Sequence, residues 1–178
     1  GVGALYVRKG ISVVPVIHGG GHEKGLRGGT ENIPGICGFA EACKLAKSGH
    51  VKDMVKMRDY FVAGVLEAIP DAKLNGYFEK GDYEKRLCNN INFTFPVNGE
   101  MLGDYLNAYG VCASKGSACS TIDHEVSHVL KAIGRSDKEA DNSIRFTISR
   151  FTTKSDVDEA LKIVVKSFEK VRNSRFAK

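Results

Sequence analysis

Between Val51 and Ile69 the apolar residues recur three and four positions apart, at Val51, Met54, Val55, Phe61, Val62, Val65 and Ile69, with Arg58 in the same stripe and Pro70 directly behind it. That spacing gathers side chains on one face of an α-helix, and such a face must be buried. Proline cannot continue the helix, so the stripe ends where Pro70 stands. The chain is thereby committed to a layer of helix packed on another layer. The other layer is legible in "NNINFTF" and "NSIRFTIS", where Ile91, Phe93 and Phe95, and then Ile144, Phe146 and Ile148, alternate with polar residues. Alternation of period two is the mark of a strand with one buried face.

Further helices follow from the same reading. Ile36, Phe39, Ala40, Cys43 and Ala46 trace one face between Ile33 and Ala46. "EMLGDYLNAYG" is helical after the turn at Pro96, Asn98 and Gly99, and "EVSHVLKAIG" is a short helix closed by glycine. "SDVDEALKIVVKSFEKVRN" is a final amphipathic helix with Ser155 as its expected cap and Asp156 and Asp158 at its positive end. "VCAS" has the size of a strand, and "GVGALYVRK" and "ISVVPVIHGG" read as extended pieces. Helices interspersed with a few separated strands predict an α+β fold, with helices packed on a small sheet. At 178 residues, 42% of them hydrophobic, the chain holds enough apolar side chains for one ordinary core and not for two large ones.

Charge and cysteine usage narrow the function. The formal net charge of +5 is mild, and Lys and Arg are interleaved with Asp and Glu, so nucleic-acid binding is not indicated. No stretch approaches the roughly 18 consecutive apolar residues of a membrane span, and the opening residues lack the pattern of a signal peptide, which makes the cytoplasm the expected location. Cysteines at 37, 43, 88, 112 and 119 form no C-x-x-C pair and no zinc spacing. No metal site is expected, and free thiols in a reducing compartment are.

Three segments carry candidate chemistry. In "ASKGSACST", Cys119 sits among small and hydroxylic residues, where it either reacts or packs tightly. Lys115, His124 and His128 supply positive charge that favours a thiolate. Cys37 and Cys43 fall on a helix's apolar face and are expected in the core, while Cys112, inward on a strand, and Cys88 are expected to be structural. "HGGGHEKGLRGGTEN" is either a surface loop or an anion site in which freed amides and Thr30 hold a phosphate. His18 and His22 flank glycines, with nothing in their spacing to favour a metal over exposure. Arg145, in mid-strand, either faces solvent or is a rigidly mounted guanidinium able to take a carboxylate in bidentate fashion.

"LRGGTEN", then "SKGSACS" followed by "SHVLKAIG", then "SIRFTISRFTT", in this order, resemble the C-terminal third to half of the pyridoxal-phosphate-dependent cysteine desulfurases of the class V aminotransferase family. "GVGALYVRKG" and "NNINFTF" fit too, so the similarity covers essentially the whole chain. It implies the small C-terminal domain of a fold-type I pyridoxal phosphate enzyme over residues 33–178, preceded over residues 1–32 by the end of the large cofactor-binding domain. By the same resemblance Cys119 is the nucleophile that takes sulfur from a cysteine substrate, becoming a persulfide and releasing alanine. Arg145 binds the substrate's carboxylate, and Thr30 reaches the cofactor phosphate of the neighbouring subunit in a homodimer. The sulfur would pass to an acceptor or iron-sulfur scaffold protein. A selenocysteine lyase-type relative and a separate, non-catalytic module for sulfur relay or docking are the alternatives.

The departures are Lys115 where the family usually has serine or glycine, Cys88 where proline is common, and Val126 in place of the proline often found before "SHVL". The family's Schiff-base lysine lies just before the segment that matches "GVGALY", and the aspartate and histidine around its cofactor ring lie further upstream. The sequence thus reads as a fragment whose first 30 or so residues are expected to be its least ordered part. Limited proteolysis is expected to cut there first. Alone, the 178-residue polypeptide is expected neither to bind pyridoxal phosphate covalently nor to release sulfide from cysteine. Absorbance spectra with the cofactor, before and after borohydride, check this, and a yellow colour lost on reduction would contradict it.

Overall fold

The computed structural model describes residues 1–46, 49–115 and 126–174. The chain divides into two compact units, Gly1–Gly49 and His50–Lys178.

In the first unit residues 1–21 contain no strand, contrary to the expectation for "GVGALYVRK". The apolar run is there, but a strand also needs a neighbour for its N–H and C=O groups, and the described residues of this unit supply none. A 3-10 turn follows at His22–Gly25, with Glu23 and Lys24 at φ 51° and 57°. The helix α1 spans Ile33–Ala46, and the side-chain oxygen of Asn32 accepts from the Gly35 N–H at 3.1 Å. None of its residues is buried. Cys37 and Cys43 are therefore exposed, not core residues: Cys43 lies on the stripe traced by Ile36, Phe39, Ala40 and Ala46, which is uncovered among the described residues, while Cys37 lies about 100° round the helix from Ile36 and off that stripe.

The second unit is the α+β sandwich that the alternating patterns predict. Its helices are α2 (Val51–Ala68), α3 (Gly99–Ala108), α4 (His128–Ala132), α5 (Asp137–Asp141) and α6 (Lys154–Arg172). Its strands are β1 (Lys73–Leu74), β2 (Asn90–Thr94), β3 (Ser114–Lys115) and β4 (Ser143–Thr147), in the all-antiparallel order β1-β2-β4-β3. The central ladder pairs Ile91 with Phe146 and Phe93 with Ile144. These four residues face α2, α3 and α6, and all are buried together with Phe61, Val62, Leu102, Leu106, Val164 and Phe168. Phe61 and Phe146 meet with ring centroids 5.0 Å apart, a favourable aromatic spacing.

Helix ends follow local chemistry. Ile69, pushed out of helical conformation by Pro70, has φ −132° and ψ 79°, while its N–H still donates to Val65 O at 2.8 Å. The cap of α6 is Thr153, two residues before the expected Ser155. Thr153 and Asp156 form a capping box, each side chain accepting from the other's backbone N–H, and this fixes the start that Ser155 alone would not. Cys112 is exposed, against its expected inward orientation. Val111 and Ala113 pack on the core instead, and in extended chain a phase error of one residue reverses the face. Cys88 is half-buried.

Two charged groups hold the connections in place. Arg58, fully buried, pairs with Asp59 at 2.7 Å and donates to the carbonyl oxygens of Asp82 at 2.7 Å and Leu87 at 3.4 Å. It thereby ties the long β1–β2 loop to α2. Glu139 forms a capping box with Ser136 at the start of α5 and accepts from Lys73 Nζ of β1 at 2.9 Å. The Ser136 backbone N–H, then Lys73, pull its carboxyl down to about 2.

Arg58→Met removes the ion-pair partner of Asp59, which then keeps, among the described residues, only the Gly81 N–H at 2.6 Å, and leaves the Asp82 and Leu87 carbonyl oxygens without their donor. It is expected to cost about 3 kcal/mol, read from urea unfolding at constant m-value. Because the folded-state pKa of Glu139 is depressed, its contribution is complete above the ordinary value of 4.5 and is lost as pH falls towards about 2. Glu139→Gln is expected to flatten the fall in urea midpoint between those two pH values.

Candidate functional site

Thr30 and Arg145 lie in different units, and each has its own local construction. Cys119 and His124 lie outside the described residues.

Thr30 follows two glycines with distinct tasks. Gly28 is buried, donates its N–H to Ile17 O at 2.9 Å, and lies so close to the backbone of His18 and Gly19 that a Cβ would come within 2.6 Å of Gly19 N. Gly29 has φ 100°, open to glycine at little cost. On the far side of Thr30, Glu31 Oε1 accepts from His22 Nδ1 at 2.9 Å, and this hydrogen bond holds the Glu31 carboxyl below its usual range. The loop is thus pinned before and after Thr30, while the Thr30 side chain is exposed and has no hydrogen bond among the described residues. It opens on a cavity of about 660 Å³ that Arg27, Gly29 and Asn32 also line. The Thr30 hydroxyl and the Arg27 cation are donors suited to a phosphate, set against the carboxylates of Glu23 and Glu31 on the same lining. His22 was not singled out as a partner of Glu31 in the sequence, since a contact nine residues apart through an irregular loop leaves no periodic signal.

Arg145 stands on β4 at the point where the burial pattern opens, between buried Ile144 and Phe146. Its Cα partners are Asn92 on β2 and Ser114 on β3, so the three residues form a row across the polar face of the sheet. The guanidinium is exposed and makes no hydrogen bond or ion pair among the described residues. A cleft of about 340 Å³ lies beside the same strand, but it is lined by apolar residues such as Phe61, Ile91 and Ile163 and by the acidic Asp156 and Glu159. Its two carboxylates disfavour an anion despite the hydroxyls of Tyr109, Thr147 and Thr152, whereas the Arg145 face offers it a fixed cation.

Next to this row lies a polar network that the sequence did not disclose. Asn75 Nδ2 donates to Asn92 Oδ1 at 2.6 Å, Thr94 Oγ1 at 3.0 Å and Ser143 Oγ at 3.1 Å. Arg135 Nε in turn donates to Asn75 Oδ1 at 2.5 Å. The only available hint was that Asn90, Asn92 and Thr94 have the opposite parity to Ile91, Phe93 and Phe95. Among the described residues no cluster of His, Cys, Asp and Glu is arranged to hold a metal, and no helix is long and apolar enough to cross a membrane.

Comparison with known proteins gives a consistent family. A cysteine desulfurase IscS from Dictyoglomus turgidum is 44% identical over 176 residues, covering 97% of this chain and 43% of the relative. A cysteine desulfurase IscS from Methanosarcina thermophila is 42% identical over 177 residues, covering 97% of this chain and 42% of the relative. The chain therefore spans less than half the length of these curated relatives. Among solved structures, a NifS-like protein superposes with a TM-score of 0.75 at 33% identity, over 92% of this chain and 41% of that one. A NifS-like protein from Rickettsia africae gives 0.71 at 26% identity, over 89% and 41%. The small antiparallel sandwich is accordingly a portion of the fold-type I architecture, as the sequence motifs imply. With residues 1–160 matched by the aminotransferase class-V family, the chain belongs to that family.

Proposed function

We propose that this chain is the C-terminal portion of a pyridoxal-phosphate-dependent cysteine desulfurase, a transferase that moves sulfur from L-cysteine to an acceptor thiol and releases L-alanine. The observation that carries this reading is Arg145, a strand-mounted guanidinium with no partner among the described residues, within a chain 44% identical to a cysteine desulfurase. A guanidinium held on a rigid strand meets a carboxylate with little loss of side-chain freedom, and its fork matches the two carboxylate oxygens.

Thr30 would hold the cofactor phosphate, in a homodimer that of the neighbouring subunit, with the pinned loop around it keeping the hydroxyl in place. When bound, pyridoxal phosphate supplies the electron sink that weakens the substrate's carbon–sulfur bond. Arg145 orients the substrate by its carboxylate. The Cys119 thiolate attacks the substrate sulfur, a sulfur–sulfur bond forms as the carbon–sulfur bond breaks, and the electron pair left with carbon takes up a proton as alanine forms. Lys115, exposed at the end of β3, places positive charge four residues before the thiol and favours its ionised form. The persulfide on Cys119 then serves an acceptor or an iron-sulfur scaffold protein, in the cytoplasm.

In the complete enzyme, Cys119→Ser is expected to abolish alanine formation from cysteine. Activity that survived would favour the selenocysteine lyase-type reading. Arg145→Lys keeps the charge but loses the fork, and is expected to raise KM for cysteine about 10-fold or more, the worth of one charged hydrogen bond, with a smaller effect on kcat.

A further inference from the structure

The arginine at the end of α4 determines which way two asparagine amides point. Gly134, at φ 85°, turns the chain after α4 so that the Arg135 N–H donates back to Leu130 O at 3.0 Å and the Arg135 side chain is directed to β1. There Nη2 donates to Leu74 O at 3.1 Å and Nε to Asn75 Oδ1. A guanidinium has donors only, so the Asn75 atom it meets is the carbonyl oxygen, and the Asn75 nitrogen is turned to the sheet. That nitrogen donates to Asn92 at 2.6 Å, so the Asn92 atom it meets is likewise an oxygen. β1 and β4 lie on opposite sides of β2. With its oxygen spent on Asn75, Asn92 keeps its Nδ2 as a donor to which the described residues give no acceptor, at the position paired with Arg145.

Directly paired residues on antiparallel strands have Cβ atoms about 4.5–5.5 Å apart. Asn92 Nδ2 and the Arg145 guanidinium are therefore two neighbouring donors that cannot satisfy each other. Ser114 stands on the other side of Arg145 in the same row. Two donor groups side by side on a polar face, one of them cationic, are complementary to an oxyanion with two oxygens.

We infer that Asn92 is a second carboxylate-binding residue beside Arg145, and that Arg135, acting through Asn75, is the positioning residue that keeps the Asn92 amide turned nitrogen-first to the ligand. This rests on the reading of Arg145 as the carboxylate holder, and adds to it a neutral donor whose direction is set by a cation elsewhere in the fold. The ligand class is an amino acid with a free carboxylate.

The test uses the full 178-residue chain, labelled with nitrogen-15 and titrated with L-alanine, with L-alaninamide as the probe lacking a carboxylate. The Arg145 Nε–H and Asn92 Nδ2 signals are expected to move together with L-alanine and to stay with L-alaninamide. Movement of Arg145 alone would overturn the inference and leave the carboxylate reading of Arg145 intact. Movement of neither would overturn both. Arg135→Met is expected to weaken L-alanine binding about fivefold, the worth of one net hydrogen bond, and to suppress the Asn92 response while Arg145 still responds. Arg135→Lys, which retains a donor, is expected to restore part of it. An Asn92 signal that responds equally in Arg135→Met would remove Arg135 from the relay. Should that variant fail to fold, as judged by the Ile91 and Phe146 amide signals, Asn92→Leu at a half-buried strand position decides the same point: affinity is expected to fall about fivefold, and unchanged affinity would overturn the assignment of Asn92.

Discussion

The register of the β2–β4 ladder is the constraint on which the rest of the molecule depends. It pairs Ile91 with Phe146 and Phe93 with Ile144 on one face, and Asn92 with Arg145 and Thr94 with Ser143 on the other. Slipping either strand by one residue would send Arg145 and Asn92 into the space occupied by Phe61, Leu102 and Phe168, and would send the phenylalanines into water. Desolvating a guanidinium without a partner costs several kcal/mol, and exposing two phenylalanines costs about 1.5–3 kcal/mol each. The apolar core and the polar row thus enforce the same register, and the residue proposed to hold substrate is placed by the packing of residues that never touch it.

Legibility in the sequence followed the length and periodicity of each element. α2, α3 and α6, and the strands β2 and β4, were visible because a buried face imposes a repeat on ten to nineteen residues of helix or five of strand. β1 and β3, two residues each, are too short for any period, and exist because β2 and β4 offer them an edge. α5 was missed because its five residues are held by a capping box rather than by an apolar stripe. The cysteines show the limit of periodicity itself. Cys43 lies on a stripe that no described residue covers, and a stripe says which face would be buried, not whether it is.

The site was legible in a different way. Arg145 stood out as a charge inside a strand pattern, and Thr30 as a hydroxyl in a glycine-dense loop. The parts that position them were invisible, because Arg135–Asn75, Asn75–Asn92 and His22–Glu31 are contacts between segments of irregular or very short structure. No local rule of sequence couples them. Their chemistry becomes readable only when the fold brings donor to acceptor, and then an atom as simple as the Nε of Arg135 settles the orientation of two amides in succession.

Three other arginines of the second unit show by contrast what leaves Arg145 available for a ligand. Arg58 is wholly buried and spends its donors on Asp59 and two loop carbonyls. Arg86 donates to the carbonyl oxygens of Asn75, Tyr77 and Asn90, and its burial lowers its pKa. Arg135 donates to Leu74 and Asn75 and lies 3.6 Å from Glu139. Each of these holds a connection in place, and a buried one must, since an unpaired charge inside the protein would not be tolerated. Arg145 escapes that requirement because it faces water, where an unpaired guanidinium costs little. Its position is fixed by the backbone of a strand bonded on both sides and needs no ion pair of its own. A cation that is rigid without being neutralised keeps its full charge for an arriving carboxylate, and only a residue in the middle of a sheet, on its polar face, meets both conditions.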